Sequence, residues 1–329
     1  MKTTNHLLAI LILLTAGLMS TGTADAQRIA VRKNDLTTHR WTNGFSSYKA
    51  RRIPGGNILF EGGNLHEGGE TFLLTPQGGD FYRLALAPDR ESIPIGGEPG
   101  NVVRLRSFGQ NVFLIVYSAK GTPLDVLASS ADLRRTIEDD LNNYYLAGQY
   151  RTEDGHVIDF KPGRRTATGL PGTNGEVTYT FGEEFQTPTT VICLPDGNAY
   201  RVLKTDDGLY IYKSNLNDGN WEDAEEALVS QARRIKYYSP DGSSEGFYPV
   251  TARQPLTRGI LGQLTVAELR LMRNEIYARR GLRFNSPDLR ERFEGQAWYK
   301  PDTDDISTRL TELDAINIEL IRQAEIMEE

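Results

Sequence analysis

Asn198-Ala199-Tyr200-Arg201-Val202, followed by Leu209-Tyr210-Ile211-Tyr212-Lys213-Ser214, echoes a stretch just under a hundred residues earlier. That stretch is Asn101-Val102-Val103-Arg104-Leu105, followed by Phe113-Leu114-Ile115-Val116-Tyr117-Ser118. Both passages are rich in β-branched and aromatic residues and are interrupted by a short polar turn. Each therefore reads as two antiparallel strands closing a meander. Phe60 and Phe160 nearly keep the same offset. The echo makes a duplicated small sheet or half-barrel one reading, and chance alternation among strand-forming residues the other.

Outward from these passages the chain continues in the same style. Between about Arg40 and Ser118 short apolar runs such as Asn57-Ile58-Leu59-Phe60, Thr71-Phe72-Leu73-Leu74 and Phe81 to Leu86 alternate with paired glycines, among them Gly55-Gly56 and Gly78-Gly79. Glycine pairs there supply turns with positive φ. No pair forms a Walker pattern or a strand-GxGxxG-helix unit, so a phosphate cradle is not indicated. A second strand-rich stretch runs from Ala147 to about Tyr238, with Asp-Gly turns at Asp154, Asp196 and Asp207. Between the two, residues 129–146 read as a connecting helix, with Leu133, Ile137 and Leu141 on one face and Ser129 and Asp132 in capping spacing. Trp221–Ala232 reads as a further helix with an acidic first turn, and a last strand follows near Ile235-Lys236-Tyr237-Tyr238. The segment Ala147 to Tyr212 loosely resembles the meander of lipocalin-like domains, which implies a sheet that holds either a small ligand or nothing at all.

The C-terminal region is helical. Thr265-Val266-Ala267-Glu268 is a capping box flanked by Leu264 and Leu269. Leu269, Met272 and Ile276 line one face of the helix it starts, and Gly281 is placed to end it. Ser286-Pro287 opens a second helix, and a third is expected from about Ile306, presenting Leu310, Leu313, Ile316, Asn317 and Leu320. The organisation expected is residues 1–26 as a signal peptide, 27–128 as a first β-rich unit, 129–146 as the connecting helix, 147–239 as a second β-rich unit, 240–256 as a linker and 257–329 as a three-helix domain. The fold class is α+β.

The run Leu269-Arg270-Leu271-Met272-Arg273-Asn274-Glu275-Ile276-Tyr277-Ala278-Arg279-Arg280-Gly281, with Arg283-Phe284, Trp298-Tyr299-Lys300-Pro301 and Leu313 to Ile321, resembles the YARHG domain. Arg280 stands where that motif has its histidine. The resemblance covers about Leu256 to Met327 and implies an extracytoplasmic accessory module that accompanies diverse partners, with no catalytic residue to carry over. Arg273, Tyr277, Arg279, Arg280, Trp298 and Tyr299 are its candidate binding residues. Against this, Glu268, Glu275 and Glu291 are available to pair with the arginines, and a Trp-Tyr pair between short helices is suited to a core.

The start of the chain carries Lys2, the apolar run Leu7 to Leu14, and Ala24-Asp25-Ala26, the pattern of a cleavable secretory signal with a mature start at Gln27. A periplasmic or extracellular location is expected, with no transmembrane segment after cleavage. Over 329 residues, Asp and Glu outnumber Lys and Arg by 44 to 37, leaving a net charge of -7 that argues against a nucleic-acid partner. Cys193 is the single cysteine and lies in the apolar run Val191 to Leu194, so an intrachain disulfide and a cysteine-rich metal site are excluded. His39, His66 and His156 are scattered, no HExxH or GxSxG is present, and the loop at 215–222 lacks the oxygen ligands of an EF-hand. No cofactor, metal or catalytic set is expected. The reading is a non-catalytic binding or interaction protein of the bacterial envelope, with an envelope protein or glycan as partner. A carboxylate-dependent hydrolase in a β cleft and a lipocalin-like carrier are the alternatives.

Overall fold

The computed structural model describes residues 35–327 except 65–67, 89, 91, 94, 96, 110, 131–132, 187–188, 215–225 and 239–245. The signal segment 1–26, Gln27, His66, the loop at 215–222, the acidic turn of the expected helix at 221–232, Asp132 and most of the first half of the expected linker lie outside the described residues.

Contact density divides the chain into two compact units. One runs to Leu133 and takes in Arg253–Arg258 and Asp305–Leu320. The other comprises Arg134–Ala252, Gly259–Asp304 and the chain from Ile321.

The first unit opens with a short helix α1 (Asp35–Thr38). It then forms a closed antiparallel barrel of β1 (Arg40–Thr42), β2 (Ser46–Arg52), β3 (Ile58–Asn64), β4 (Gly68–Gly78), β5 (Phe81–Leu86), β6 (Val102–Phe108), β7 (Asn111–Tyr117) and β8 (Pro123–Ser130). The strands pair in chain order and β1 closes onto β8 with Trp41 opposite Ser129. Closure removes both sheet edges. Trp41, Tyr48, Phe60, Phe72, Leu74, Leu114 and Leu127 form one continuous core in which Phe60 and Phe72 stack at 4.7 Å. Gly62 is required by proximity: a Cβ there would collide with the Ser47 carbonyl across the β2/β3 pair.

Helix α2 (Leu133–Asp140) and a π-helical turn, Leu141–Leu146, follow, so the connecting helix starts later than its sequence suggests. Ser129 belongs to β8, because its backbone completes the barrel seam opposite Trp41.

The second unit is a nine-stranded antiparallel sheet of β9 (Gly148–Thr152), β10 (Val157–Lys161), β11 (Thr166–Thr168), β12 (Glu176–Thr178), β13 (Thr180–Gln186), β14 (Thr189–Cys193), β15 (Ala199–Lys204), β16 (Gly208–Ser214) and β17 (Glu226–Tyr237). Its order places β12 and β13 at the two edges, with β17 beside β9. Only Tyr179 separates β12 from β13, so one kinked strand reaches both edges and the sheet is barrel-like. Gly155 and Gly197, each following an aspartate at a hairpin, have φ of 87° and 86°.

One expectation is overturned here. The expected helix at 221–232 is strand β17 from Glu226 onward, because this segment pairs with β16 on one side and β9 on the other and joins the two halves of the sheet. Tertiary pairing overrides the helix-like acidic start.

In the C-terminal region α3 (Arg258–Leu261), α4 (Val266–Arg279), α5 (Pro287–Glu294) and α6 (Glu312–Met327) are helical. The Thr265/Glu268 capping box forms as expected, and Gly281 adopts φ 88° just past α4, where a side chain would be strained. The third long helix begins at Glu312 and not near Ile306. Thr311 is its cap: its backbone N–H and hydroxyl both donate to the Asp314 carboxylate at 2.8 Å. Within the first unit the Asn317 side chain accepts from the Leu256 N–H at 2.9 Å and donates to the Gln254 carbonyl at 3.0 Å. The expected linker at 240–256 contains buried structure, since Tyr248, Pro249 and Thr251 have little exposure and Pro249–Ala252 is a 3-10 turn.

Candidate functional site

Strand alternation in the second unit leads to an unusual cluster. Val202 is fully buried, and two residues on, with the same parity, comes Lys204. Ala232 is buried, and two residues on comes Arg234, paired in register with Tyr150. Two cations thus fall on the buried face near strand ends, where apolar residues are the rule. Both are met by Glu268 of α4. The Lys204 ammonium lies 2.5 Å from one carboxylate oxygen, and the Arg234 guanidinium bonds the other. The three side chains are 3%, 8% and 3% exposed for Lys204, Arg234 and Glu268.

Such a triad persists only if every polar group is satisfied. Lys204 donates also to the carbonyls of Gln263 at 2.7 Å and Tyr144 at 3.0 Å. Arg234 donates from Nε to the Tyr150 hydroxyl at 3.0 Å and from Nη2 to the Tyr145 carbonyl at 3.3 Å. The Tyr145 hydroxyl donates to the Val202 carbonyl and accepts from the Lys204 N–H. Glu268 still serves its cap, accepting from the Thr265 N–H at 3.0 Å. Burial opposes ionisation of Glu268, and Lys204 and Arg234 more than reverse it, holding the carboxyl below its usual range. Burial pushes the Lys204 ammonium down to about 8, with Glu268 only partly offsetting it. One carboxylate shared by two cations leaves the cluster with a surplus positive charge, and the lysine is the member that can shed it.

Beside the triad opens a small cleft, with enclosed room for about one water-sized group, lined by Arg234, Tyr237, Tyr238, Phe247, Tyr248 and Glu268. The Phe247 and Tyr248 backbone N–H groups donate to the Glu275 carboxylate at 2.7 and 2.9 Å, and Glu275 is in turn paired with Arg279. Glu275 is wholly buried. Helix α4 therefore supplies Glu268 to the triad and, two turns on, fixes the segment that brings Phe247 and Tyr248 to the cleft. The Tyr248 hydroxyl is buried and has no hydrogen-bond partner among the described residues. Its electrostatic neighbours are Glu268, Tyr237, Arg234 and Glu275.

The residues anticipated from sequence do not gather at one point. Arg273 forms a bidentate pair with Glu325, and the Arg322 guanidinium reaches the Tyr277 hydroxyl at 3.4 Å. Arg279 is bound to Glu275 and donates to the Thr251 hydroxyl. Arg280 is the C-cap residue of α4. Tyr299 is buried against Phe284 and Phe293, its hydroxyl donating to the Leu282 carbonyl at 2.8 Å, while Trp298 is half-buried and edge-on to Phe293 at 5.8 Å. Sequence reasoning missed Lys204, Arg234, Tyr150 and Tyr248. The signal for Lys204 was a lysine at the inward parity of a strand; Arg234 was hidden by the helix assignment.

Among the described residues no three His, Cys, Asp or Glu converge to hold a metal. His156 and its neighbour Asp154 are both exposed, and Cys193 is a half-buried strand residue whose thiol burial pushes up, which disfavours the nucleophilic thiolate.

A model of the YARHG domain family matches residues 247–326. The match begins upstream of the expected boundary at 257 and takes in Phe247 and Tyr248, the two residues that Glu275 holds. The C-terminal segment is thus a YARHG domain, and it supplies one wall of the cleft. Comparison of the whole chain with curated proteins and with solved structures finds no match. Among the described residues no helix is long and apolar enough to cross a membrane.

Proposed function

We propose that this chain is an exported, non-catalytic binding protein of the bacterial envelope, acting in the periplasm or outside the cell, and that its recognition site is the tyrosine-lined cleft beside the Lys204–Glu268–Arg234 triad. The observation that carries the reading is the character of the Glu268 carboxylate there. Hydrolysis by paired carboxylates needs one group that holds a proton and a second that does not. Among the described residues Glu268 is the only carboxylate lining the cleft, and it is kept ionised by two cations. That arrangement suits recognition of a ligand and not general-acid chemistry. Carriage of an apolar ligand fits poorly with a second sheet whose interior is filled by Tyr150, Phe160, Tyr179 and Phe181, packed ring to ring. The two β units also support a duplication: Asn101 to Ser118 spans the sixth and seventh strands of one meander, and Asn198 to Ser214 the sixth and seventh of the other, counting the β12/β13 ribbon as one strand. Phe60 and Phe160, in the third and second strands, fall outside that correspondence.

Co-sedimentation of the chain from Gln27 with purified cell-wall material tests the reading. Saturable retention with no release of soluble fragments over hours is expected. Release of fragments without stable retention would replace it with the hydrolase.

A further inference from the structure

We propose that the cleft binds a compact oxyanion, the carboxylate of a sugar acid or a phosphate group, gripped by the Arg234 guanidinium and the Tyr248 hydroxyl. The proposal rests on the reading of this cleft as the recognition site and specifies its ligand.

Three observations converge. The first is charge. The whole chain is acidic, yet among the described residues around the cleft Lys161, Lys204, Arg234, Lys236, Arg279 and Arg292 outnumber Asp159, Asp206, Glu268 and Glu275. Arg234 and Arg292 each place their guanidinium carbon 4.7 Å from the centre of the Tyr237 ring, so two cations converge on one wall. An anion placed there gains from this local excess of positive charge.

The second is the unused donor. Tyr248 is 4% exposed, and its hydroxyl has no partner among the described residues. A buried hydroxyl left unpaired is unfavourable by itself, so its retention points to a partner that arrives from outside. Burial raises the Tyr248 phenol well above its ordinary value, so it stays an O–H donor, the kind of group an oxyanion accepts from. Its backbone is held by the Glu275 carboxylate through the Tyr248 N–H, and burial of the ring leaves the side chain little freedom to withdraw.

The third is size. The enclosed part of the cleft has room for about one water-sized group, so a single oxygen of the anion enters while the rest of the ligand stays outside against Tyr237, Tyr238 and Phe247. Aromatic rings lining the cleft beside the buried Arg234 suit a sugar that carries an acid or a phosphate.

Calorimetric titration of the chain from Gln27 at low salt with D-glucuronate, inorganic phosphate and D-glucose tests the proposal. Saturable binding of glucuronate or phosphate is expected, the tighter of the two identifying the source of the anion, with no binding of glucose. Tyr248→Phe should keep or raise the melting temperature and weaken the anion about tenfold, the loss of one hydrogen bond to a charged acceptor. Equal affinity in Tyr248→Phe overturns the proposed grip. Binding of glucose but neither anion overturns the oxyanion and leaves the recognition site standing. Binding of none of the three, as for a cleft that only shelters water, overturns both.

Discussion

The Glu268 carboxylate lies 2.5 Å from the Lys204 ammonium while also accepting from the Thr265 N–H at 3.0 Å, so one residue caps a helix and anchors that helix to a strand. The capping box alone ranks as a local device worth about 1 kcal/mol. Its burial between Lys204 and Arg234 turns it into the link between the YARHG helix and the second sheet.

Glu268→Gln should therefore destabilise the second unit far more than a lost cap would. Glutamine keeps the shape and can still receive the Thr265 N–H, but it leaves two buried cations uncompensated. Breaking a buried ion pair from one side typically costs about 3–5 kcal/mol. Urea denaturation of the variant checks this; a loss within about 1 kcal/mol would mean that the triad is solvated.

The same cluster sets an alkaline pH dependence. The Lys204 ammonium, at about 8 in the folded chain against an ordinary value of 10.5, binds a proton less readily folded than unfolded. Below about 8 both states are protonated and the full desolvation penalty is present. Between about 8 and 10.5 the unfolded state holds more protons, so stability rises with pH through that window. Lys204→Met should abolish the rise, which thermal melts between pH 7 and 10 would show.

Asp140 predicts the opposite slope at lower pH. One of its carboxylate oxygens is buried without a partner among the described residues, and burial, reinforced by the Asp139 charge, pushes it up to about 8 from an ordinary 3.8. The folded state then holds the extra proton, so stability is greatest below about 4 and is lost as pH climbs toward 8. Asp140→Asn should remove that slope and stabilise the chain at pH 7 to 8, measured by denaturation at both ends of the window.

Trp298 and Tyr299 should respond differently to truncation. Tyr299 is buried and hydrogen-bonded, so Tyr299→Ala should cost about 3–5 kcal/mol, the usual range for a buried aromatic. Trp298 is half-buried and its indole N–H has no partner among the described residues, so Trp298→Phe should be tolerated and Trp298→Ala should cost less than Tyr299→Ala. Equal losses in the melting temperature for the two alanine variants would contradict this ranking.

The N-cap of α4, the left-handed Gly281 and the Pro287 start of α5 were legible in the sequence because each is settled by a few neighbouring residues. The strand runs were legible for the same reason, and so was the YARHG segment. The helix expected at 221–232 failed because β17 owes its conformation to partners far away in the chain, β16 and β9. Locally, Glu226 and Ala227 favour a helix as readily as a strand.

By itself the sequence determined the α+β class, the two meanders, the helix ends and the family of the C-terminal segment, since hydrophobic period, turn chemistry and capping act over a handful of residues. Only the tertiary structure decided that the first sheet closes into a barrel, that the second is barrel-like, and that Lys204, Arg234 and Glu268 meet beside Tyr248. A salt-bridge triad is a matter of angstroms between side chains, and residues 64 positions apart in the chain, such as Lys204 and Glu268, come within bonding distance only when closure of the sheet and docking of a helix have placed them there.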